Sequence, residues 1–367
     1  MKVERSGRAA PRLVLFAEIF FFAFAAGPAV AQTAPPAQTG NVFNPNISVI
    51  GNALGFVGHN PVDNQPSLQL KESEIGLTAI VDPYARADFF VTFGSQSGDV
   101  GIEEGYITFL TLPGDFIVKA GKFKAAFGKV NTEHPHVRQY ADTPLVILNL
   151  LGGEGGISDS GLSVARLIPM PAEIFLEATG QLLRGTTENL FEAQTRNDVE
   201  PLFHLKAYKD ISESTNLELG GSWTRGNGIE GQGLHTTLAG IDVSFRWKPL
   251  RQGLYRSLLV RGEWMQSERE MAAGTTVRAS GWYALAQYQL GRRWNAGYRH
   301  DDSDHADDAT LRDRGDSAIL TFSPSEFSMI RAQLRRNRYD QAAGPVTATE
   351  LLVQLQFIIG AHGAHPF

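Results

Sequence analysis

Alternation of apolar and polar residues is the feature that most constrains how this chain folds. Near the C-terminal end, Leu351, Val353 and Leu355 share one face of an extended segment, and Glu350 and Gln354 share the other. The same period of two recurs in segments of about ten residues from residue 47 onward. After residue 31 the chain never approaches the ~18 consecutive apolar residues of a spanning helix. These observations predict an all-β protein.

The connections between these segments are of two kinds that alternate along the chain. Seven short turns, most of them bearing Pro or Gly, separate eight longer polar segments, namely 59–67, 95–101, 129–160, 184–200, 225–234, 267–278, 300–315 and 339–347. An even strand number, with short turns at one rim and long loops at the other, is typical of outer-membrane barrels. The pattern predicts a 16-stranded antiparallel transmembrane β-barrel with a long third extracellular loop and both termini on the short-turn side.

The five tryptophans support this interpretation. Trp247 and Trp294 flank short turns, whereas Trp223, Trp264 and Trp282 lie at the long-loop ends of their strands, always on the apolar face. Aromatic rings at both ends of an apolar band form the girdles expected where lipid tails meet headgroups.

The N-terminal segment has the pattern of a secretory signal. Basic residues precede the apolar stretch 13–26, and Ala29-Val30-Ala31 supplies a small-x-small cleavage site. An uncleaved membrane anchor is the alternative. We expect a cleaved signal at 1–31, a periplasmic segment at 32–46 and the barrel at 47–367. A net charge of −6 on an exported chain argues against nucleic acid as a partner, and the absence of cysteine excludes disulfides and thiolate metal sites.

Two stretches carry a family resemblance. Glu104-Gly105-Tyr106, followed by Gly121-Lys122-Phe123-Lys124 and Phe127-Gly128, resembles a hairpin of the phosphate-selective porin O and P superfamily. The resemblance implies a sixteen-stranded barrel whose next loop folds into the lumen, conduction of anions such as phosphate, and a homotrimer. The tail 356–367 resembles proteobacterial outer-membrane proteins, some of which are described as zinc-regulated TonB-dependent receptors. Such receptors have about 22 strands and a plug, for which this chain is too short.

The terminal Phe367 resembles the C-terminal signal that the barrel assembly machinery recognises. Together with the alternation and the signal segment, it predicts the bacterial outer membrane as the location. The lipid bilayer and lipopolysaccharide are then the surroundings of the barrel.

The polar face of the strands is predicted to line the lumen. A sixteen-stranded barrel is too wide to be filled by side chains, so passive conduction of small hydrophilic solutes or ions is the expected function. The predicted anion pathway consists of Lys122, Lys124, Arg246, Arg331 and Arg335. For Lys122 and Lys124 the alternative is a structural role, pairing with Glu104 and other carboxylates of the adjacent strand.

Loop 129–160 is the predicted constriction. It carries His134, His136 and Arg138, and its apolar run 145–151 needs to be covered. Folding into the lumen would cover this run, and so would a subunit interface; we expect the inward fold.

Two histidine-bearing segments are candidate divalent metal sites, because imidazole and carboxylate groups are ligands of Zn²⁺ and carboxylates of Ca²⁺. One is His134-Pro135-His136, and the other, an outer-loop set, comprises His300, Asp301, Asp304 and His305. Solvated loop composition is the alternative for the second. A metal-binding, receptor-like barrel with an occluded lumen is therefore the alternative function. No G-x-S-x-G or HExxH motif is present, and we predict neither an enzyme nor a cofactor.

Overall fold

The computed structural model describes residues 45–63, 65–94, 100–272 and 274–360. Within them, sixteen strands form a closed antiparallel barrel in which each strand pairs with its neighbours in sequence. The last strand pairs with the first, with Gly360 in register with Ser48, which closes the ring and leaves both strand ends at the same rim. The predicted signal at 1–31, nearly all of 32–46, and Phe367 lie outside the described residues.

The predicted strand number is confirmed. The strands are β1 (Asn46–His59), β2 (Leu68–Asp82), β3 (Ala85–Gly94), β4 (Val100–Phe109), β5 (Phe116–Lys124), β6 (Ser158–Met170), β7 (Ile174–Leu183), β8 (Glu200–Ser212), β9 (Thr215–Asn227), β10 (His235–Trp247), β11 (Leu258–Met271), β12 (Thr275–Gln289), β13 (Trp294–Asp304), β14 (Arg312–Ser325), β15 (Ser328–Tyr339) and β16 (Val346–Gly360). One short helix, α1 (Leu145–Leu150), and one-turn helices at Val130–Thr132, Pro135–Val137 and Pro171–Glu173 interrupt the connections. No helix among the described residues is long and apolar enough to cross a membrane.

The two faces of each strand differ as the alternation predicts. In β16, Val353 and Leu355 are exposed on the outside of the barrel, whereas Leu352 and Gln354 are buried inside it. The outward side chains Trp223, Trp264, Trp282 and Trp294 are likewise exposed. The barrel therefore presents an apolar outer band edged by aromatic rings and a largely polar inner wall.

Two of the predicted long loops are shorter than expected. The segment 267–278 is almost entirely strand, because β11 continues to Met271 and β12 begins at Thr275. The segment 300–315 is reduced to 305–311 between β13 and β14. Polar residues in these strand extensions pair across the ladder, as Arg278 with Glu268 at 3.0 Å and Arg312 with Asp304 at 2.9 Å. Polar composition alone therefore indicated loops where the chain forms hairpins.

The apolar core lies inside the barrel rather than between two layers. The connection 125–157 enters the lumen, and its buried residues Phe127, Val146 and Leu150 pack against inward-facing wall residues such as Leu238 and Tyr283. Helix α1 contacts β11, β12, β13 and β14. The predicted inward course of the long third loop is thus what the structure shows.

Substitution by arginine on the outer face should depend on depth. In lipid vesicles we expect Val353→Arg, in the middle of β16, to lower the free energy of unfolding by about 2–4 kcal/mol, because hydrocarbon cannot solvate the charge. Ile359→Arg, near the end of the same strand, is the matched control and should cost about 0–1 kcal/mol. Equal costs in urea titrations of the two refolded variants would contradict the placement of the apolar band.

Candidate functional site

The lumen loop, residues 125–157, turns into the barrel at Gly128. The Gly128 amide donates to Ser222 Oγ (2.9 Å), and the amides of Lys129 and Val130 donate to the carboxylate of Glu263 on β11 (3.1 and 2.9 Å). Gly128 has φ +63°, and a Cβ there would lie 2.2 Å from Glu263 Oε2. Only glycine fits so close a backbone approach at this positive φ.

Asn131 closes the base of the lumen loop. Its Nδ2 donates to the carbonyl oxygens of Ala125 and Ile157 (2.8 and 2.9 Å), and its Oδ1 accepts from the Ile157 amide (2.8 Å). One buried amide side chain therefore joins the entering and leaving strands of the loop. This leaves the backbone groups at the base paired although they are out of reach of water.

Four arginines of the inner wall hold the far part of the lumen loop. Arg261 pairs with Glu133 (2.8 Å), and Arg299 and Arg335 both pair with Asp142 (2.9 and 3.2 Å). Arg331 lies beside them and donates to the carbonyl oxygen of Arg138 (2.8 Å).

Asp142 is the centre of this arginine cluster. It is buried, which by itself disfavours its charge, but the Arg299 and Arg335 guanidinium groups outweigh burial and hold the pKa of the Asp142 carboxyl well below its usual range. Tyr140, two residues earlier, lies under the Arg299 guanidinium at 4.4 Å from the ring centroid. The loop is thus fixed to β13 and β15 by buried, charge-assisted contacts.

The predicted anion pathway is divided by the structure. Arg331 and Arg335 face the lumen, but the lumen loop and Glu350 occupy their guanidinium groups. Arg246 lies on the inward row of β10 at the periplasmic end, beside the turn between β8 and β9. Their part in conduction stays a prediction.

Lys122 and Lys124 do not point inward together, as the sequence had led us to expect. Lys122 is in register with Gly105 and the exposed Ser160, on the outward face, and its Nζ donates to the Ile102 carbonyl oxygen (2.7 Å). Lys124 is buried and pairs with Glu103 (2.8 Å). Alternation ends here because Lys124 is the last residue of β5, where the chain turns into the lumen and consecutive residues are buried.

The wall opposite the arginines lines a cavity of about 520 Å³. Its charged lining balances five basic side chains against five acidic ones: Arg86, Lys119, Lys124, Lys129 and Lys206, and Asp88, Glu104, Glu177, Glu218 and Asp242. Three pairs are close, with N–O distances of 2.9 Å for Arg86–Asp88, 2.7 Å for Lys129–Glu218 and 3.0 Å for Lys206–Glu177. Lys206 and Glu177 keep 29% and 36% of their side-chain surface exposed, so this half of the lumen is wet.

Lys119 is the inward-facing lysine that the sequence interpretation missed. Its Nζ lies 4.0 Å from the centroid of the Tyr106 ring and lines the cavity, and it makes no salt bridge within the described part of the chain. It was missed because Lys122 was predicted to face inward, and alternation over the three residues between them then sends Lys119 outward.

A second cavity, of about 450 Å³, lies on the other side of the lumen loop. Asp142, Leu145 and Arg335 line it together with residues of β1 and β16. Among the described residues, none lines both cavities. The loop therefore separates two spaces within one barrel.

His134 is buried where the lumen loop meets β2 and β4. Its Nδ1 lies 2.9 Å from Glu74 Oε2, and its Nε2 lies 2.7 Å from Glu104 Oε1. Burial disfavours a charged imidazole, but hydrogen bonds to Glu103, Glu104 and Glu74 outweigh it and raise the pKa of His134 well above its ordinary value. His136 Nδ1 lies 3.7 Å from the same Glu74 oxygen. Of the predicted constriction residues, His134 and His136 are thus buried contacts between loop and wall. The buried Arg138 side chain donates to Thr143 and to the Glu133 carbonyl oxygen within the loop.

The outer-loop metal set is not brought together. Residues 300–304 belong to β13, so their side chains alternate between the two faces. His300 pairs with Asp316 and Asp304 with Arg312 on the outer face, whereas Asp301 pairs with Arg299 inside the barrel. His305 pairs with the buried Asp313. In the described residues, a grouping of three potential metal ligands occurs instead at Glu74, His134 and His136.

Comparison with known proteins places the fold. No family model matches the chain. An uncharacterized protein of Aquifex aeolicus (strain VF5) is 29% identical over 346 residues, covering 84% of this chain and 72% of that protein. Among solved structures, the anion-selective porin from Comamonas acidovorans has a TM-score of 0.58 at 10% identity, covering 86% of this chain and 98% of its own. The outer membrane channel DcaP of Acinetobacter baumannii has a TM-score of 0.58 at 12% identity, covering 86% and 96%. The chain has the sixteen-stranded fold of these barrels.

Removal of the Asp142 charge should loosen the lumen loop. We expect Asp142→Asn to lower the free energy of unfolding by about 3 kcal/mol, because Arg299 and Arg335 stay buried with less compensation. The effect should depend on pH. With its folded pKa depressed, Asp142 contributes its full stabilisation above the pKa of an unfolded aspartate, about 3.9, and loses it progressively as the pH falls further.

Urea unfolding of both proteins between neutral and strongly acidic pH measures this difference. The two curves should converge at the acid end. Asp307→Asn, at an exposed outer-loop position, is the control and should leave stability within about 0.5 kcal/mol of wild type. A constant difference between Asp142→Asn and wild type down to the lowest pH would contradict the assignment.

Proposed function

We propose that this protein is an outer-membrane porin that passes small hydrophilic solutes or ions by passive diffusion. The signal segment, the apolar outer band and the fold shared with porins support the location. The observation that carries the function is the wet, charged cavity along the inner wall of a closed barrel. Charges of both signs in such a space need water or ions around them, which an aqueous pathway supplies.

The lumen loop is the constriction in this proposal. It fills the half of the lumen along β11 to β16, where the arginines hold it, and leaves the half along β2 to β10 lined by solvent-accessible ion pairs. Solutes would pass along the second half. Homotrimer formation and a preference for anions such as phosphate, which the family resemblance implies, remain part of the proposal.

We assign a slight anion preference to Lys119. The other four cavity cations have carboxylate partners, which cancel much of their field at short range. They are Arg86, Lys124, Lys129 and Lys206. Lys119 projects a positive charge into the cavity without such a partner in the described residues. A charge on the wall of a narrow pore attracts counter-ions.

The alternative function is a receptor-like barrel with an occluded lumen. The separation of the two cavities by the lumen loop favours it. Planar bilayers distinguish the two functions directly, because demonstrably folded barrels that carry no current would support occlusion, whereas stable single-channel steps support the porin.

Shortening the constriction should widen the pathway. We expect deletion of 134–150 to raise single-channel conductance severalfold, because the deleted segment fills about half of the lumen. Removing 231–233 from the tip of the loop between β9 and β10 is the control and should leave conductance unchanged. A shift in electrophoretic mobility on heating shows that the deletion variant is a folded barrel. If this folded variant has the wild-type conductance, the loop is not the constriction.

The position of Lys119 predicts its effect on selectivity. Under a KCl gradient we expect Lys119→Gln to shift the reversal potential toward cation selectivity, because one positive charge leaves the cavity. Lys122→Gln is the matched control: the same substitution three residues away, on the outward face, should leave the potential at the wild-type value. If the two variants shift it equally, or neither does, Lys119 is not the selectivity residue. Phosphate block of the wild-type current tests the finer prediction of phosphate as a solute.

A further inference from the structure

The junction between the lumen loop and strands β2 to β4 carries a set of potential metal ligands that the conduction pathway does not require. Glu74 of β2, His134 and His136 are buried, and their ligand atoms all lie within 4.8 Å of one another. Glu103 of β4 adds a fourth donor, with its Oε2 3.4 Å from His134 Nδ1. Two imidazoles and one carboxylate therefore lie together at the one-turn helix Pro135–Val137, and a second carboxylate contacts one of the imidazoles.

The separations of the donors fit a tetrahedral ion. Bonds of about 2.0–2.1 Å to nitrogen and oxygen place tetrahedral ligands about 3.3–3.4 Å apart. The measured separations are 2.9 Å between Glu74 Oε2 and His134 Nδ1, 3.7 Å between Glu74 Oε2 and His136 Nδ1, and 3.4 Å for the Glu103 contact. These three separations lie within about half an ångström of that spacing. Glu103 is not among the residues whose ligand atoms are all within 4.8 Å of one another, so its carboxylate has to move toward the other donors on binding.

A β-bulge supplies the extra carboxylate. Phe90 of β3 is in register with Glu104 and Val91 with Ile102, so Glu103 has no register partner on β3. The bulge brings both Glu103 and Glu104 to the lumen side, where regular alternation would send one of them outward. Bulges often re-aim a side chain at a functional position, and here the re-aimed carboxylate contacts His134.

Glu104 orients His134 in the manner of a residue behind a metal ligand. His134 Nε2 lies 2.7 Å from Glu104 Oε1, which leaves Nδ1 directed at Glu74 and Glu103. Metal-bound histidines almost always donate their other ring N–H to a carboxylate or carbonyl. Glu104 in turn accepts the Lys124 amide with its second oxygen (2.9 Å), so its position is fixed.

The charges at the junction also favour binding of a cation. Among the described residues, one ammonium, that of Lys124, forms a salt bridge with the carboxylates Glu74, Glu103 and Glu104, and these four groups carry a formal charge of −2 when His134 is neutral. Glu74 Oε1 is buried without a hydrogen-bond partner in the described part of the chain. Burying unbalanced charge costs several kcal/mol, and one divalent cation neutralises this set.

We propose that Glu74, Glu103, His134 and His136 bind a divalent cation of the zinc class. Two imidazole nitrogens favour Zn²⁺ over Ca²⁺ or Mg²⁺, which take oxygen ligands. Because two ligands come from the wall and two from the loop, the ion fastens the one-turn helix Pro135–Val137 to β2 and β4. The site borders the proposed conduction pathway, since Glu104 and His134 also line the cavity. Zinc binding is measured without current, so it holds or fails independently of porin activity.

The test is zinc titration of the full, untagged chain, refolded in detergent after treatment with EDTA. His362→Gln and His365→Gln are present in every sample, so that the C-terminal imidazoles do not contribute. By calorimetry we expect one Zn²⁺ per chain, no comparable CaCl₂ binding, and affinity weakened at least about 100-fold in Glu74→Gln and His136→Gln. Glu104→Gln should weaken binding by about 10–100-fold while the ligand set is kept. His235→Gln, at the first residue of β10, is the matched control and should bind as the parent does.

X-ray absorption of the zinc-loaded parent keeps the result interpretable if a variant fails to fold. It should show two imidazoles and oxygen donors at about 2.0–2.1 Å. Zinc should also slow tryptic cleavage after Lys129 and Arg138 in the parent, and not in His136→Gln. The proposal is overturned if the parent binds no more zinc than His136→Gln, or if the absorption spectrum shows no imidazole.

Discussion

Burial of the apolar part of the lumen loop is the constraint on which the interior depends. Leu145 to Leu151 would be costly in water, and the inner wall of a barrel is mostly polar. The wall therefore contains apolar inward positions, Leu238, Met265 and Leu285 among them, where the helix α1 and its flanks need them. The loop and this patch of wall form one core, so the constriction is as much a part of the folded barrel as the strands.

The polar contacts of the loop follow from the same constraint. Once the chain lies inside the barrel, its backbone and charged groups need partners on the wall, and Glu263, Arg299 and Arg335 supply them. These arginines are consequently used to hold the loop. In the proposed pathway, the balance of charge that a solute would meet is set on the other wall, where Lys119 is the cation without a salt bridge among the described residues.

The sequence predicts the barrel well because alternation is local, so each strand can be recognised within about ten residues. The prediction fails where polar residues extend a strand or where alternation is interrupted. The polar extensions of β11 to β14 look like loops. Lys122 and Lys124 are two residues apart but face opposite sides, because β5 ends at Lys124. The candidate site was only partly predictable. Glu74 and His134 are 60 residues apart in sequence, and neither segment contains a pattern that predicts contact with the other.

The attachment of the loop is spread around the barrel rather than concentrated in one patch. It binds β9 and β11 at Gly128 to Val130, β2 and β4 at His134, and β13 and β15 at Asp142. Because strands at several points of the circumference are joined through one loop, releasing a single attachment leaves the others to hold the constriction. Local changes at one attachment should therefore alter how the pore is lined before they alter whether the barrel is closed.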